Sequence, residues 1–195
     1  MIRGDQDDAT LVSSAQSGDR DALDALLRRH HDRWYALCRR IMGNDSDALD
    51  ATQEALIAIV RGLPRFDGRA AFSTWSYRVA TNTCLDELRR RRRRPEPGLT
   101  DDDRAPSDDD TSAPALDEQV SSRVTIDEAI QGLPLEFRAA VVLRDVCSLD
   151  YAEIASVLEI PPGTVRSRIA RGRALLATHL SGNPPPAPDR QKPST

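Results

Sequence analysis

Apolar positions recur at intervals of three and four along most of this chain, and no stretch alternates with the period of two that marks a half-buried strand. The pattern predicts an all-α protein. Leu23, Leu26, Leu27, His30, Trp34, Leu37 and Ile41 form one stripe, so a long amphipathic helix is expected to start after Gly18 and stop near Gly43. A second helix, about 47–63, carries Thr52, Ala55, Leu56, Ile59 and Leu63 on its core line. Asp50, Gln53, Glu54, Ile57 and Arg61 fall on another line, either a solvated face or, given an apolar Ile57 among charges, a surface for a partner.

In the segment LPRFDGRAAF that follows, Pro64 closes the helix and Asp67-Gly68 demands a turn, so the loop is short and rigid. The next helix, about 72–93, points Tyr77, Ala80, Cys84 and Leu88 at the core. Arg78, Asn82, Leu85 and Arg89 form a neighbouring line with Trp75 at its edge. Such a face can grip phosphates, bond base edges and stack an exposed indole on an unpaired base; the competing reading makes Trp75 ordinary core. Arg89 to Arg94 end the helix, where cations also suit the negative end of its dipole.

From Pro95 the chain is rich in Pro and Asp with little to bury, which marks a disordered linker, and the tail from Ser181 is disordered for the same reason. Between them Asp150-x-x-Glu153 forms a capping box, so a helix begins at Tyr151 and runs to about Leu158. Glu159 to Gly163 turns the chain into a second helix from Thr164 toward Leu180. This is a helix-turn-helix. Val165, Ile169, Gly172 and Leu176 face inward, while Gly163, Thr164, Ser167 and Arg171 present a small, polar outer face that fits a major groove. Arg166, Arg168 and Arg173 flank it near phosphates. Pro162 suits a first helical turn, whereas Pro161 has no side chain with which to cap it.

Composition favours two small domains over one large one: 39% of the 195 residues are apolar, 30% are charged, and only three Phe, three Tyr and two Trp are available for a core. The net charge of −4 hides an asymmetry. Residues 1–94 hold 17 basic and 14 acidic groups, residues 95–120 hold 1 and 9, and residues 121–195 hold 9 and 8. The acidic bridge invites the hypothesis that it folds back on the arginine run, against the plainer reading of a solvated tether. Lys192 is the single lysine among 27 basic residues. Arginine usage on that scale reflects either GC-rich codons or phosphate recognition by guanidinium forks.

Catalytic chemistry has no foothold. Cys38, Cys84 and Cys147 lack CxxC or paired His spacing and read as small buried hydrophobes in a reducing cytosol, and His30 reads as a hydrogen-bonded core residue. The sequence predicts no enzyme activity, no cofactor and no metal. With neither a signal peptide nor a long apolar run, a cytoplasmic protein without membrane insertion is expected. A stand-alone helix-turn-helix repressor remains the alternative, although no dimerisation heptad accompanies it.

Taken together these residues resemble the extracytoplasmic-function (ECF) sigma factors of the sigma-70 superfamily. The resemblance rests on Asp50-Ala-Thr-Gln53-Glu54, Arg65-Phe66-Asp67-Gly68, Phe72-Ser-Thr-Trp75 and Tyr77 through Asp86 with Arg89 and Arg90. In the second block it rests on Leu133-Pro134, Phe137-Arg138, Tyr151, Glu153-Ile154-Ala155 and Gly163-Thr164-Val165-Arg166-Ser167-Arg168. It implies a region 2 helical domain at 1–94, a flexible acidic linker at 95–119, a region 4 helix-turn-helix domain at 120–180 and a disordered tail at 181–195. Asp50, Gln53 and Glu54 would then bind the β′ clamp helices of core RNA polymerase, with the β flap as a further contact. Loop residues Phe66, Asp67, Gly68, Arg69 and Ala70 would capture a flipped base of the −10 promoter element, and Arg78, Asn82 and Arg89 would hold the melted strand, with Trp75 and Arg90 in the same −10 contact set. Gly163, Thr164, Arg166, Ser167, Arg168 and Arg171 would read the −35 element. Promoter DNA and an anti-sigma factor complete the implied partners.

Overall fold

The computed structural model describes residues 7–93 and 126–181, and every regular element among them is helical. The acidic linker and the tail beyond Ser181 lie outside the described residues. The elements are α1 (Asp8–Gln16), α2 (Arg20–Met42), α3 (Asp45–Gly62), a 3-10 turn (Leu63–Arg65), α4 (Phe72–Arg93), α5 (126–131), α6 (Leu135–Asp145), α7 (Tyr151–Leu158) and α8 (Pro162–Leu180).

Local chemistry sets their ends. Asp19 caps α2, its Oδ1 accepting from the amides of Asp21 and Ala22 at 3.0 and 3.1 Å. Gly43 ends α2 at φ +96°, a left-handed conformation that side chains other than glycine rarely adopt. Asn44 then caps α3 through the Asp47 amide at 2.9 Å. The Asp150–Glu153 capping box is present in both directions at 2.8 Å. Helix α8 starts at Pro162, two residues before the expected Thr164, because proline's fixed φ and missing N–H suit a first turn, and Pro161 supplies no side-chain cap.

The first block packs α2, α3 and α4 together with α1 laid across α2. Its core is largely aliphatic, with Leu26, Trp34, Leu37, Ile41, Ala55, Ile59, Ala80 and Cys84 fully enclosed. Trp34 donates its indole N–H to Ser76 at 3.1 Å, satisfying the one polar group that its burial would strand. His30 is 2% exposed and bonds Asp8 across 2.7 Å. It is a core histidine whose partner comes from α1, and burial pushes its pKa below the ordinary value.

In the second block α6, α7 and α8 enclose Ala140, Val142, Leu143, Ile154, Val157 and Val165. Cys147 lies past the end of α6 and is half-buried, so of the three cysteines it departs from the buried helical setting expected. The two blocks are docked on each other. The end of α2 leaves carbonyls without helical partners, and the second block supplies them: Gln131 donates to Arg40 O at 2.8 Å and Arg138 to Ile41 O at 2.9 Å. An Arg40–Asp127 ion pair reinforces this contact, and α7 lies against α4.

Candidate nucleic-acid interface

The loop after α3 is built on an aromatic column. His30 stacks on Trp34 with ring centroids 5.6 Å apart, and Phe72 meets Trp34 edge-on at 6.4 Å. From Phe72 the column continues outward to Phe66 at 6.0 Å and Trp75 at 5.7 Å, and these two rings lie 5.1 Å from each other. The rings therefore connect the core to a surface cavity of about 350 Å³, lined by Phe66, Asp67, Arg69, Thr74, Trp75 and Arg78 among others. Apolar rings at the back and polar groups at the mouth are what a flat, hydrogen-bonding ligand needs.

The loop owes its shape to few bonds. Phe66 N–H closes the 3-10 turn on Leu63 O at 3.0 Å, Asp67 Oδ1 accepts from the Arg69 amide at 3.1 Å, and Gly68 reverses the chain at φ +72°. Asp67 also pairs with the Arg69 guanidinium at 3.1 Å. Trp75 is half-buried rather than an exposed indole: one edge packs so close to α3 that a Cβ on Gly62 would lie 2.9 Å from its ring. It serves as cavity wall and as part of the core.

Phe66, Asp67, Arg69, Trp75 and Arg78 are thus brought together at one cavity, with Gly68 at the loop tip. Asn82, Arg89 and Arg90 continue along α4 outside it, all exposed. Their cations are not equally free. Arg89 pairs with Asp86 at 3.0 Å and Arg90 with Glu87 at 2.5 Å, each within the helix. Arg91, one residue further, ties α4 to α3 through a two-pronged bond to Asp47 at 2.5 and 2.7 Å and a third bond to Glu87 at 2.8 Å. Those bonds hold the Asp47 and Glu87 carboxyls below their ordinary range and raise the Arg91 guanidinium.

One side of the cavity comes from α7, a contact that sequence periodicity did not predict. Ser156 of α7 lines it, Thr74 donates its hydroxyl to Glu153 at 3.1 Å, and Arg78 faces Glu159 at 3.8 Å. Glu153 serves two bonds at once, one oxygen in the capping box and the other on Thr74.

On α3, Asp50, Gln53 and Glu54 are all exposed, and the same surface shows Leu49 at 51% and Ile57 at 50% exposure. Apolar side chains left half in water beside carboxylates and an amide mark a contact surface more than a solvated face. On α8, Gly163, Arg166, Ser167 and Arg171 are exposed while Thr164 and Arg168 are half-buried. Arg166 lies over the Tyr151 ring at 5.9 Å, with Arg144 on the same ring at 5.2 Å. Arg173, expected beside a phosphate, is instead paired with Asp145 of α6.

The chain matches the family description "Sigma-70 region 2" over residues 26–94 and "Sigma-70, region 4" over residues 123–176. It is 39% identical over 178 residues to the ECF RNA polymerase sigma factor SigM of Mycobacterium tuberculosis, covering 91% of this chain and 87% of that protein. Similarity to the ECF RNA polymerase sigma-E factor of Escherichia coli is 36% over 178 residues, covering 87% and 92%. Among solved structures, CnrH in complex with the cytosolic domain of CnrY shares the fold at TM-score 0.68 and 23% identity, over 91% of this chain and 99% of that one. The sigma factor RpoE of Bartonella quintana, solved with the anti-sigma factor NepR, shares it at TM-score 0.63 and 21% identity, over 82% and 96%. With both signature regions in order and relatives aligned along most of their length, this protein belongs to the ECF sigma factors of the sigma-70 family.

Proposed function

We propose that this alternative sigma factor divides its work between two units, residues 1–94 for polymerase binding and −10 melting and residues 120–180 for −35 recognition. The observation that carries the reading is the loop cavity, where an aromatic wall and the Arg78 guanidinium share one opening at the head of an arginine-lined helix. Extruding a base from duplex DNA costs roughly a few kcal/mol, which stacking of about 1–3 kcal/mol per base and polymerase contacts can offset. Phe66, Asp67, Gly68 and Arg69 take the flipped base; Trp75, Arg78, Asn82, Arg89 and Arg90 hold the strand beside it.

Asp50, Gln53 and Glu54 dock on the polymerase β′ clamp helices, supported by the exposed Leu49 and Ile57 next to them. On the upstream side Gly163, Thr164, Ser167 and Arg171 enter the major groove, with Arg166 and Arg168 at its edges and the β flap holding this unit in place. The chain itself is not an enzyme, and the chemistry of RNA synthesis belongs to the polymerase. Burial pushes the Cys147 thiol up to about 12, while Cys38 and Cys84 share a hydrogen bond that lowers Cys38 and raises Cys84. The protein works in the cytoplasm; among the described residues no helix is long and apolar enough to cross a membrane. An anti-sigma partner fits the solved complex of B. quintana RpoE with the anti-sigma factor NepR.

Mixing the purified protein with sigma-free core polymerase and mapping transcript 5′ ends over genomic template tests this directly. New starts preceded by a shared two-part motif are expected. Failure to bind core, together with tight autonomous binding to symmetric DNA, would establish a repressor instead.

A further inference from the structure

The loop that shapes the cavity is also held from outside, by the end of α1. Gln16, the last residue of α1, donates its carboxamide N–H groups to Leu63 O at 2.9 Å and Phe66 O at 2.8 Å. These two carbonyls bracket the 3-10 turn, which the Phe66 N–H to Leu63 O bond closes at its far end. Pro64, inside the turn, has no N–H to add. Fixing Phe66 O sets the direction in which Asp67 and Gly68 leave, and so fixes the Phe66 ring against Trp75 at the cavity wall.

The donor sits on an anchored arm. Helix α1 is pinned by the buried Leu11 and Val12 and by the Asp8–His30 bond, and Gly18 at φ +96° turns the chain immediately after it. A carboxamide offers two donors on one nitrogen, so one side chain can hold both carbonyls. Glutamate has the same length and offers only acceptors when ionised. Asparagine is one methylene shorter.

We propose that Gln16 is a positioning residue for base capture, acting through the loop and not by touching DNA. This rests on the base-capture reading of the cavity given above. Without the two bonds the loop populates its receptive shape for only a fraction of the time, and apparent affinity falls by that fraction. About tenfold is expected, the effect of losing two ordinary hydrogen bonds partly replaced by water.

The test uses holoenzyme assembled from the full chain and core polymerase. Its probes are fluorescein-labelled single strands carrying the downstream element found by 5′-end mapping, intact or abasic at each position in turn. Wild type should lose about tenfold in affinity at one abasic position. Gln16→Ala and Gln16→Glu should bind the intact strand about tenfold more weakly and lose less than twofold further at that abasic position, because residue and base act through the same loop. Upstream duplex binding should be unchanged in both. A variant that was merely less folded would scale intact and abasic strands equally and keep the full abasic penalty. That result, or an equal loss on upstream duplex, overturns the role of Gln16 and leaves base capture standing. If wild type shows no abasic penalty at any position, base capture falls and the role of Gln16 with it.

Discussion

Gly172 sits in the middle of α8, the proposed recognition helix, where helix propensity alone favours alanine by about 1 kcal/mol. The structure predicts the opposite sign for Gly172→Ala. A Cβ there would lie 2.6 Å from Val141 Cγ2 of α6, with Phe137 Cβ and Phe137 O both at 3.4 Å behind it. Val141 is 3% exposed and β-branched within a helix, so its rotamer is fixed and it has no free direction in which to yield. Overpacking of this kind costs about 1–3 kcal/mol, which outweighs the propensity gain and leaves the variant about 1 kcal/mol less stable. Removing Val141 Cγ2 should reverse the sign. In a Val141→Ala background the new methyl enters vacated space, so Gly172→Ala should stabilise by about 1 kcal/mol, a coupling of about 2 kcal/mol between the two sites. Urea titrations of the full chain, followed by circular dichroism for wild type, both single variants and the double, measure all four corners. Equal stabilisation by Gly172→Ala in both backgrounds would refute the argument, since it would mean that α8 is free to move off α6.

Gln53→Ala combined with Glu54→Ala should weaken core polymerase binding at least tenfold in a fluorescence-anisotropy titration, while thermal stability changes little because both residues are exposed. For His30, burial outweighs the pull of Asp8 and depresses the folded pKa, so the unfolded chain binds the proton more readily. The stability that this site contributes is complete above about pH 6.5 and is lost as pH falls through that value toward the lower folded one; Tm measured from pH 7.5 to 5 should therefore drop less in His30→Gln than in wild type. Glu159→Arg removes the partner of Arg78 and places like charges together, so dyes on α3 and α8 should report a longer mean separation in the free protein, an effect that shrinks in high salt. An unchanged transfer efficiency at low salt would count against α7 closing the cavity by charge.

The long stripes were legible because burial on one face of a helix writes its period directly into the sequence. Helices α2, α3 and α4 lie within two residues of the expected bounds, and the capping box placed the start of α7 at Tyr151. Helix α1 left no such signal, since only Leu11 and Val12 of its nine residues are buried and two adjacent apolar residues define no period. In α6 five consecutive residues, Ala139 to Leu143, are buried, and a continuous apolar run does not distinguish one helical face from another. The site divides the same way. Residues of the loop and of α4 were found because they are close in sequence, whereas Gln16 reaches Phe66 across 50 positions and Glu153 reaches Thr74 across 79. Periodicity carries no information about partners that far apart. Trp75 was ambiguous in sequence because it is both things at once, a core ring on one edge and a cavity wall on the other.

The docking of α7 on α4 makes the two halves of this molecule unequal before any promoter is met. The cavity is lined on one side by Ser156 and flanked by Glu153 and Glu159, yet Gly163, Ser167 and Arg171 on α8 stand open to solvent. In the free chain the outer face of α8 is thus open, while one side of the loop cavity is covered by α7. Opening is not restrained by covalent length: residues 94–125 can reach at most roughly 110 Å when fully extended. Separating the halves must break the α7 contacts and the Gln131 and Arg138 caps on α2, so what holds them together is a set of noncovalent bonds and not the tether.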